Sequence, residues 1–515
     1  MARIVTAVRP GLARAVTAAR PRIARLTEAV RVRPVHLPRP RTVRTWHYTA
    51  GAATAGLALA AGVVTVAGPW DANGQRTAER DRAAALERSG GADHGGSGKA
   101  AGAPRPAPSA APVLTGLGGA TGAAVGTKKT PPDANALSGV LDPLLEGPAL
   151  GSSHAAAVVD VTTGERLYDA DAGKALTPAS TTKIATAVAA LSALGPDHRL
   201  TTRTALEPDT RELVLVGGGD PTLTAHAKAG GWAGLRALAS DTAKSLDKRG
   251  IHKITLSYDT TLFTGPALHP IGVNDNLAPI SALTVDEGRT DASTDGPAPR
   301  VADPAADAAT RFAAFLKDAG ITTTAPGPSK ASTRAETLAR VSSPPLSELV
   351  ERMLTNSDND IAEALARHTA LASGQPAGFD GGAKAIATQL RKLGLPMAGA
   401  AFHDGSGLNR DDRLTADLLT ALLVKAGDPG RPGLRPVLTG LPVAGFTGTL
   451  STRYTDGAAG LVRAKTGTLT GVNTLAGTVV DKTGHLLAFA FLASGTTNPM
   501  EAQSALDTAA TALTR

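Results

Sequence analysis

The segment Leu176–Pro196, LTPASTTKIATAVAALSALGP, decides how the chain is to be read. After Ser180 the apolar residues Ile184, Val188, Leu191 and Leu194 recur at helical spacing until Gly195-Pro196 stops the run. The pattern predicts a buried helix with Ser180 at its N-terminal end and Lys183 one turn further on. Free backbone N–H groups and the positive end of such a helix stabilise a developing oxyanion. A lysine enclosed by an apolar helix face is expected to have a lowered pKa and to serve as a proton acceptor. Serine and lysine so spaced make an acylating nucleophile.

Two short motifs further along fit the same chemistry, Ser357-Asp358-Asn359 and Lys465-Thr466-Gly467. Two of the three patterns occur twice, and context separates the copies. Ser245-Leu246-Asp247-Lys248 lies in SDTAKSLDKRG, with charges on several helical faces, and reads as the solvated end of a surface helix. Lys482-Thr483-Gly484 follows Asp481 between two apolar stretches and reads as a hairpin turn. Lys465-Thr466-Gly467-Thr468 follows GLVRA and reads as an edge strand able to line a cleft. Taken alone, Ser357-Asp358-Asn359 is an N-cap for a helix over Ile361–Ala370, a role compatible with catalysis, and Asp358 is expected to be structural.

Folded structure is expected from about Ala136. His154–Val161 and Arg166–Tyr168 read as two strands of a hairpin around the turn Thr162-Thr163-Gly164-Glu165. Gly217-Gly218-Gly219 is followed by Asp-Pro and lacks the Lys-Ser/Thr of a phosphate loop, so a structural turn is expected there.

The formal charge of +8 is a local property. Residues 1–46 hold eleven Arg and one Glu, which leaves 42 basic and 44 acidic residues elsewhere. The folded region is therefore close to neutral, and the charge gives no reason to expect a nucleic acid partner. The absence of cysteine excludes disulfides, a thiol nucleophile and thiolate metal sites. The eleven His are scattered without a His-x-x-x-His pair, so no metal and no cofactor is expected.

No Lys, Arg, Asp or Glu stands between Arg44 and Asp71, and Tyr48–Gly68 is about long enough to cross a bilayer. With the arginines upstream, the rest of the chain is expected outside the cytoplasm. Residues 47–69 read either as a membrane anchor or as a secretory signal, for which Thr65-Val66-Ala67-Gly68 offers a cleavage pattern. Residues 70–135, rich in Ala, Gly, Pro and Ser, read as a disordered linker that would hold the folded part away from the membrane.

The three motifs together resemble the penicillin-binding protein and serine β-lactamase superfamily. The resemblance extends through GGGDP (217–221), APISAL (278–283), SPPL (343–346), DGSGL (404–408), LPVAG (441–445) and Gly448-Thr449-Leu450, from about residue 140 to the C-terminus. The separation of 177 positions from Ser180 to Ser357 is similar to the long insertion of low-molecular-mass class C penicillin-binding proteins, which are D-alanyl-D-alanine carboxypeptidases and often DD-endopeptidases. The resemblance implies an α/β (α+β) transpeptidase-like fold, an antiparallel sheet flanked by helices plus a helical region. The catalytic domain would comprise 136–202 and 341–515, with accessory domains inserted over 203–340. Within the insert, strands are expected at Leu213–Val216 and Lys253–Ser257 and helices over Trp232–Lys248 and Ala305–Lys317.

The resemblance also implies roles. Ser180 would attack the carbonyl of the penultimate D-Ala of a peptidoglycan stem peptide, with Lys183 taking its proton. Ser357 would relay a proton to the leaving amine, and Asn359 would bind the substrate backbone. Lys465 would supply positive field, Thr466 or Thr468 would meet the terminal carboxylate, and Gly467 would complete this substrate-binding strand. The N–H groups of Ser180 and Thr468 would form the oxyanion hole, and β-lactam antibiotics would be covalent inhibitors. Two rivals are weaker. A class A β-lactamase needs Glu-x-x-Leu-Asn, whereas Leu408-Asn409 has Gly405 at the first position; an idle wall-binding scaffold would not need all of these residues.

Overall fold

The computed structural model of the chain describes residues 134–454 and 457–515. The expected basic tail, membrane segment and nearly all of the linker lie outside these residues. Among the described residues, no helix is long and apolar enough to cross a membrane.

The first layer is an antiparallel sheet in the order β2-β1-β11-β10-β9. Its strands are β1 (Ser153–Asp160), β2 (Arg166–Ala170), β9 (Val462–Leu469), β10 (Val472–Val480) and β11 (Leu486–Ser494). The central strands are buried at almost every position because both faces are covered, and the period of two sorts residues by size. Ala157, Ala490 and Ala476 stand side by side in register and face the larger core. Phe489 and Phe491 point the other way, toward helices α1 (Ala134–Leu145) and α10 (Pro499–Ala512), with ring centroids 5.1 Å apart.

The alanine face carries the helical region: α2 (Thr182–Leu194), α5 (Leu346–Asn356), α6 (Asn359–Ala372), α7 (Phe379–Lys392), α8 (Ala416–Gly427) and the short α9 (Pro436–Thr439). Helix α8 lies on the sheet over the alanine row, where small side chains permit close approach. Helix α2 is buried on every side from Thr182 to Leu191. A helix apolar all round belongs inside a core, and the single lysine it carries is thereby taken out of water.

Residues 201–342 build a second sheet over its own core. Its order is β6-β5-β4-β3-β8, with β3 Thr201–Leu206, β4 Glu212–Val216, β5 Lys253–Asp259, β6 Thr322–Thr323 and β8 Glu336–Ser342; β7 (Gly327–Pro328) pairs with β5. Helices α3 (Leu235–Asp247) and α4 (Pro304–Asp318) cover it and connect its parallel neighbours. Helix α3 starts later than the sequence pattern suggests. Thr224 bridges Gly234 in parallel fashion, exchanging bonds with Ala233 and Leu235, and this extended backbone keeps Trp232 out of the helix.

The glycine run forms a tight turn, where a Cβ on Gly218 would meet the Thr201 carbonyl oxygen at 2.1 Å. Both duplicate motifs are structural. Ser245–Lys248 closes α3, and Lys482–Gly484 turns from β10 to β11 with the Asp481 carboxylate accepting the Thr483 and His485 N–H groups.

Candidate active site

Ala179–Thr181 form one 3-10 turn at the head of α2, so Ser180 sits where the turn becomes the helix. Ala179 has φ +48°, a conformation that costs a residue with a Cβ on the order of 1 kcal/mol. The surroundings enforce it. The Pro178 carbonyl accepts Thr181 Oγ1 at 2.7 Å and Thr474 Oγ1 at 2.8 Å, tying the turn to β10. Strand β9 passes alongside, and only glycine fits at 467: a Cβ there would stand 2.1 Å from Thr474 Oγ1 and 2.7 Å from the Pro178 carbonyl oxygen.

Lys183 has no exposed surface. Its Nζ lies 3.0 Å from Ser180 Oγ, 2.6 Å from Asn359 Oδ1 and 2.7 Å from the Ser406 carbonyl oxygen. The Asn359 amide is oriented by its Nδ2, which donates to the Asn276 carbonyl at 2.9 Å. Asn359 Oδ1 and the Ser406 carbonyl can only accept, and a neutral lysine has two N–H bonds and one lone pair. Both N–H bonds are thus directed to these acceptors, and the lone pair is left facing the Ser180 hydroxyl. Burial brings Lys183 down to about 8, while Asp404, Asp358, Glu363 and Asp360 pull the other way.

Ser357 terminates α5 in the left-handed conformation, φ +59°, and Asp358 caps α6 by accepting the Ile361 N–H at 2.9 Å. The cap is therefore Asp358, and Asn359 begins the helix. Lys465, in the edge strand β9, is also fully buried and donates to the Thr466 carbonyl at 2.8 Å. Burial, then Lys183 and Arg453, hold its pKa well below the ordinary lysine value. Thr466 Oγ1 donates to Thr449 Oγ1 at 3.0 Å. Ser180, Ser357, Asn359, Thr466 and Thr468 all line one cleft, closed on the far side by Asn276, Arg289, Asp295 and Arg300 of the second module.

The geometry adds residues to which the sequence reading gave no role. Asn276 and the Ser406 carbonyl act through the backbone, where sequence gives no signal. Glu363 and Arg367 form a fully buried ion pair at 3.1 Å, although a Glu-x-x-x-Arg step normally reads as a solvated helix face. Their signal was an acid and a base inside the apolar run IAEALARHTALA. Glu287, with φ +54°, bonds Arg289 and Arg352, while Asp360 bonds Arg300 and the Ala278 N–H. The second module thereby braces the segment carrying Ser357. Among the described residues, His269, Glu363 and Asp404, and likewise Glu287, Asp358 and Asp360, come close enough to hold a cation. Both groups already face internal arginine, histidine or backbone donors.

Comparison with known proteins bears on the chemistry. The model of the D-Ala-D-Ala carboxypeptidase 3 (S13) family matches residues 137–299 and 291–513. The chain belongs to this family. This S13 carboxypeptidase is 39% identical over 351 residues to carboxypeptidase DacB of Mycolicibacterium smegmatis, covering 65% of this chain and 75% of the relative. It is 36% identical over 395 residues to a carboxypeptidase of Mycobacterium tuberculosis, covering 74% and 84%. The structure superposes on penicillin binding protein 4 of Haemophilus influenzae with a TM-score of 0.59 at 23% identity, covering 74% of this chain and 98% of that one. The mixed α/β fold is that of the low-molecular-mass class C penicillin-binding proteins, and the S13 chain is a D-Ala-D-Ala carboxypeptidase, a hydrolase.

Proposed function

We propose that this carboxypeptidase works through an acyl-enzyme on Ser180. The observation that carries the reading is the placement of Lys183 Nζ within hydrogen-bond distance of two groups that only accept, Asn359 Oδ1 and the Ser406 carbonyl, and of Ser180 Oγ, which leaves the lone pair of the neutral amine for the hydroxyl proton. Ser180 Oγ attacks the carbonyl carbon of the penultimate D-Ala, and its proton passes to Lys183 Nζ. The C–N bond breaks, and Ser357 relays a proton to the departing amine of the terminal D-Ala. Water then cleaves the ester, releasing the shortened peptide and restoring the Ser180 hydroxyl.

In the same reading the N–H groups of Ser180 and Thr468 hold the oxyanion, and Asn359 binds the substrate backbone. Thr466 and Thr468 receive the terminal carboxylate, and that anion recharges Lys465, whose ammonium is disfavoured by burial and by the nearby Lys183 and Arg453. A penicillin presents an amide carbonyl to the same serine and is expected to acylate it. The substrate is a peptidoglycan stem peptide, and the enzyme works outside the cytoplasm. We assign residues 47–69 to carrying it there, as an anchor or as a cleaved signal.

The test is a fluorescent penicillin with the labelled peptide mapped by mass spectrometry. Label on Ser180 that vanishes in Ser180→Ala is the expected result; label elsewhere sinks the assignment. Release of D-Ala from a peptide ending in D-Ala-D-Ala, beside cleavage of purified cross-linked dimers, separates carboxypeptidase from endopeptidase action.

A further inference from the structure

The Gly405–Ser406 segment is gripped from three sides. The Glu363 carboxylate accepts the Gly405 N–H at 3.0 Å and the Ser406 N–H at 2.9 Å on the same oxygen. Thr186, one turn beyond Lys183 on α2, donates to the Gly405 carbonyl at 2.6 Å. Lys183 donates to the Ser406 carbonyl at 2.7 Å. Glycine is required at 405, since a Cβ would fall 2.6 Å from the Ala362 carbonyl oxygen. All of these groups are sealed from solvent, where a misdirected polar atom is costly.

We propose that Glu363 is a positioning residue for the acylating pair, holding the Gly405 and Ser406 N–H groups so that the segment presents the Ser406 carbonyl to Lys183, and supplying negative charge beneath it. The inference rests on Ser180 and Lys183 being the acylating pair. The charged surroundings of Lys183 come from several elements. Glu363, with Arg367 behind it, Asp358 and Asp360 come from α6 and the residue capping it; Asp404 and Asp412 come from the loop after α7; His269 stands behind Asp404, and Lys465 faces from β9. Helices α5, α7 and α8 meet α2 through apolar residues such as Leu349, Ile386 and Leu422. Asp404 accepts the Gly407 N–H of the peptide whose carbonyl touches Lys183 and is further engaged by the Asn409 N–H, the Ser406 hydroxyl and His269, whereas Glu363 holds the two preceding N–H groups, those of Gly405 and Ser406.

Glu363→Gln separates geometry from charge, because the amide oxygen still accepts both N–H bonds while the negative charge is gone. Lys183 then gives up its proton more readily. The second-order acylation rate with a fluorescent penicillin is to be followed on the full chain from about pH 6 to 10. The acid limb of Glu363→Gln is expected to move down by about half a unit or more, with a plateau within about threefold of wild type. Thr186→Val, nearly isosteric, is expected to lower the plateau about three- to tenfold while the limb stays in place. A limb for Glu363→Gln that coincides with wild type or moves upward overturns the proposal. Should that variant not fold, an unchanged plateau in Thr186→Val overturns it instead. A Ser180→Ala control that still acquires label would point to failure of the acylating-pair reading itself, a distinct outcome.

Discussion

Gly407 stands against Ala179 so closely that a Cβ built on it would fall 1.9 Å from the Ala179 carbonyl oxygen. The loop that contacts Lys183 is therefore also the buttress under the residue preceding Ser180. Gly407 itself has φ +80°. Gly407→Ala meets both a backbone clash and a disfavoured conformation and is expected to cost more than about 3 kcal/mol. Urea unfolding would read the stability, and penicillin labelling of the surviving folded fraction is expected to fall at least about tenfold.

Acylation should rise with pH. Only neutral Lys183 can take the Ser180 proton, and its pKa lies at about 8. At pH 6 roughly one molecule in a hundred has the neutral amine, so the rate should climb about tenfold per unit until it levels above pH 8. A profile flat from pH 6 to 8 would contradict Lys183 as the base.

Asn359→Asp places a carboxylate where the amide oxygen lies 2.6 Å from Lys183 Nζ. An opposite charge at that range favours the ammonium. The acid limb is expected to move upward by about one unit or more, and labelling at pH 7 to drop at least about tenfold. The shift distinguishes an electrostatic effect on the base from simple loss of substrate binding, which would lower the rate without moving the limb.

Asp412 carries its proton at neutral pH. Burial first, and then Asp404, push it up to about 10, and its Oδ2 is buried without a donor of its own to accept from. An Asp whose folded pKa is raised binds its proton more tightly in the folded state, so its contribution to stability falls as pH rises from the unfolded value near 4 toward 10. Asp412→Asn removes that penalty, keeps an oxygen for the His403 N–H at 2.7 Å, and offers an amide N–H to Asp404. The variant is expected to gain about 1–3 kcal/mol at pH 7, with the gain shrinking toward pH 4. Denaturant melts at two pH values check the sign.

The helix after Ser180, the hairpin of β1 and β2 and the two structural copies of the motifs were legible because each depends on local periodicity or turn chemistry. Helix α3 was misplaced by three residues because a tertiary bridge, Thr224 to Gly234, overrides the local pattern. Ser406 and Asn276 were invisible as site residues for a different reason. They contribute main-chain carbonyls, and any side chain could have stood at those positions as far as that interaction goes. Glu363 was hidden by a misleading regularity, a helical ion pair that belongs to the interior.

Helix α2 has no solvent face from Thr182 to Leu191. Its amide protons can exchange only when the surrounding core opens, so Lys183 and the helix behind Ser180 belong to the slowest-exchanging part of the molecule. Reactivity toward penicillin should then vanish in step with global unfolding rather than before it. Covalent labelling of Ser180 would serve as a stability assay for the whole catalytic domain, readable in crude mixtures without purification.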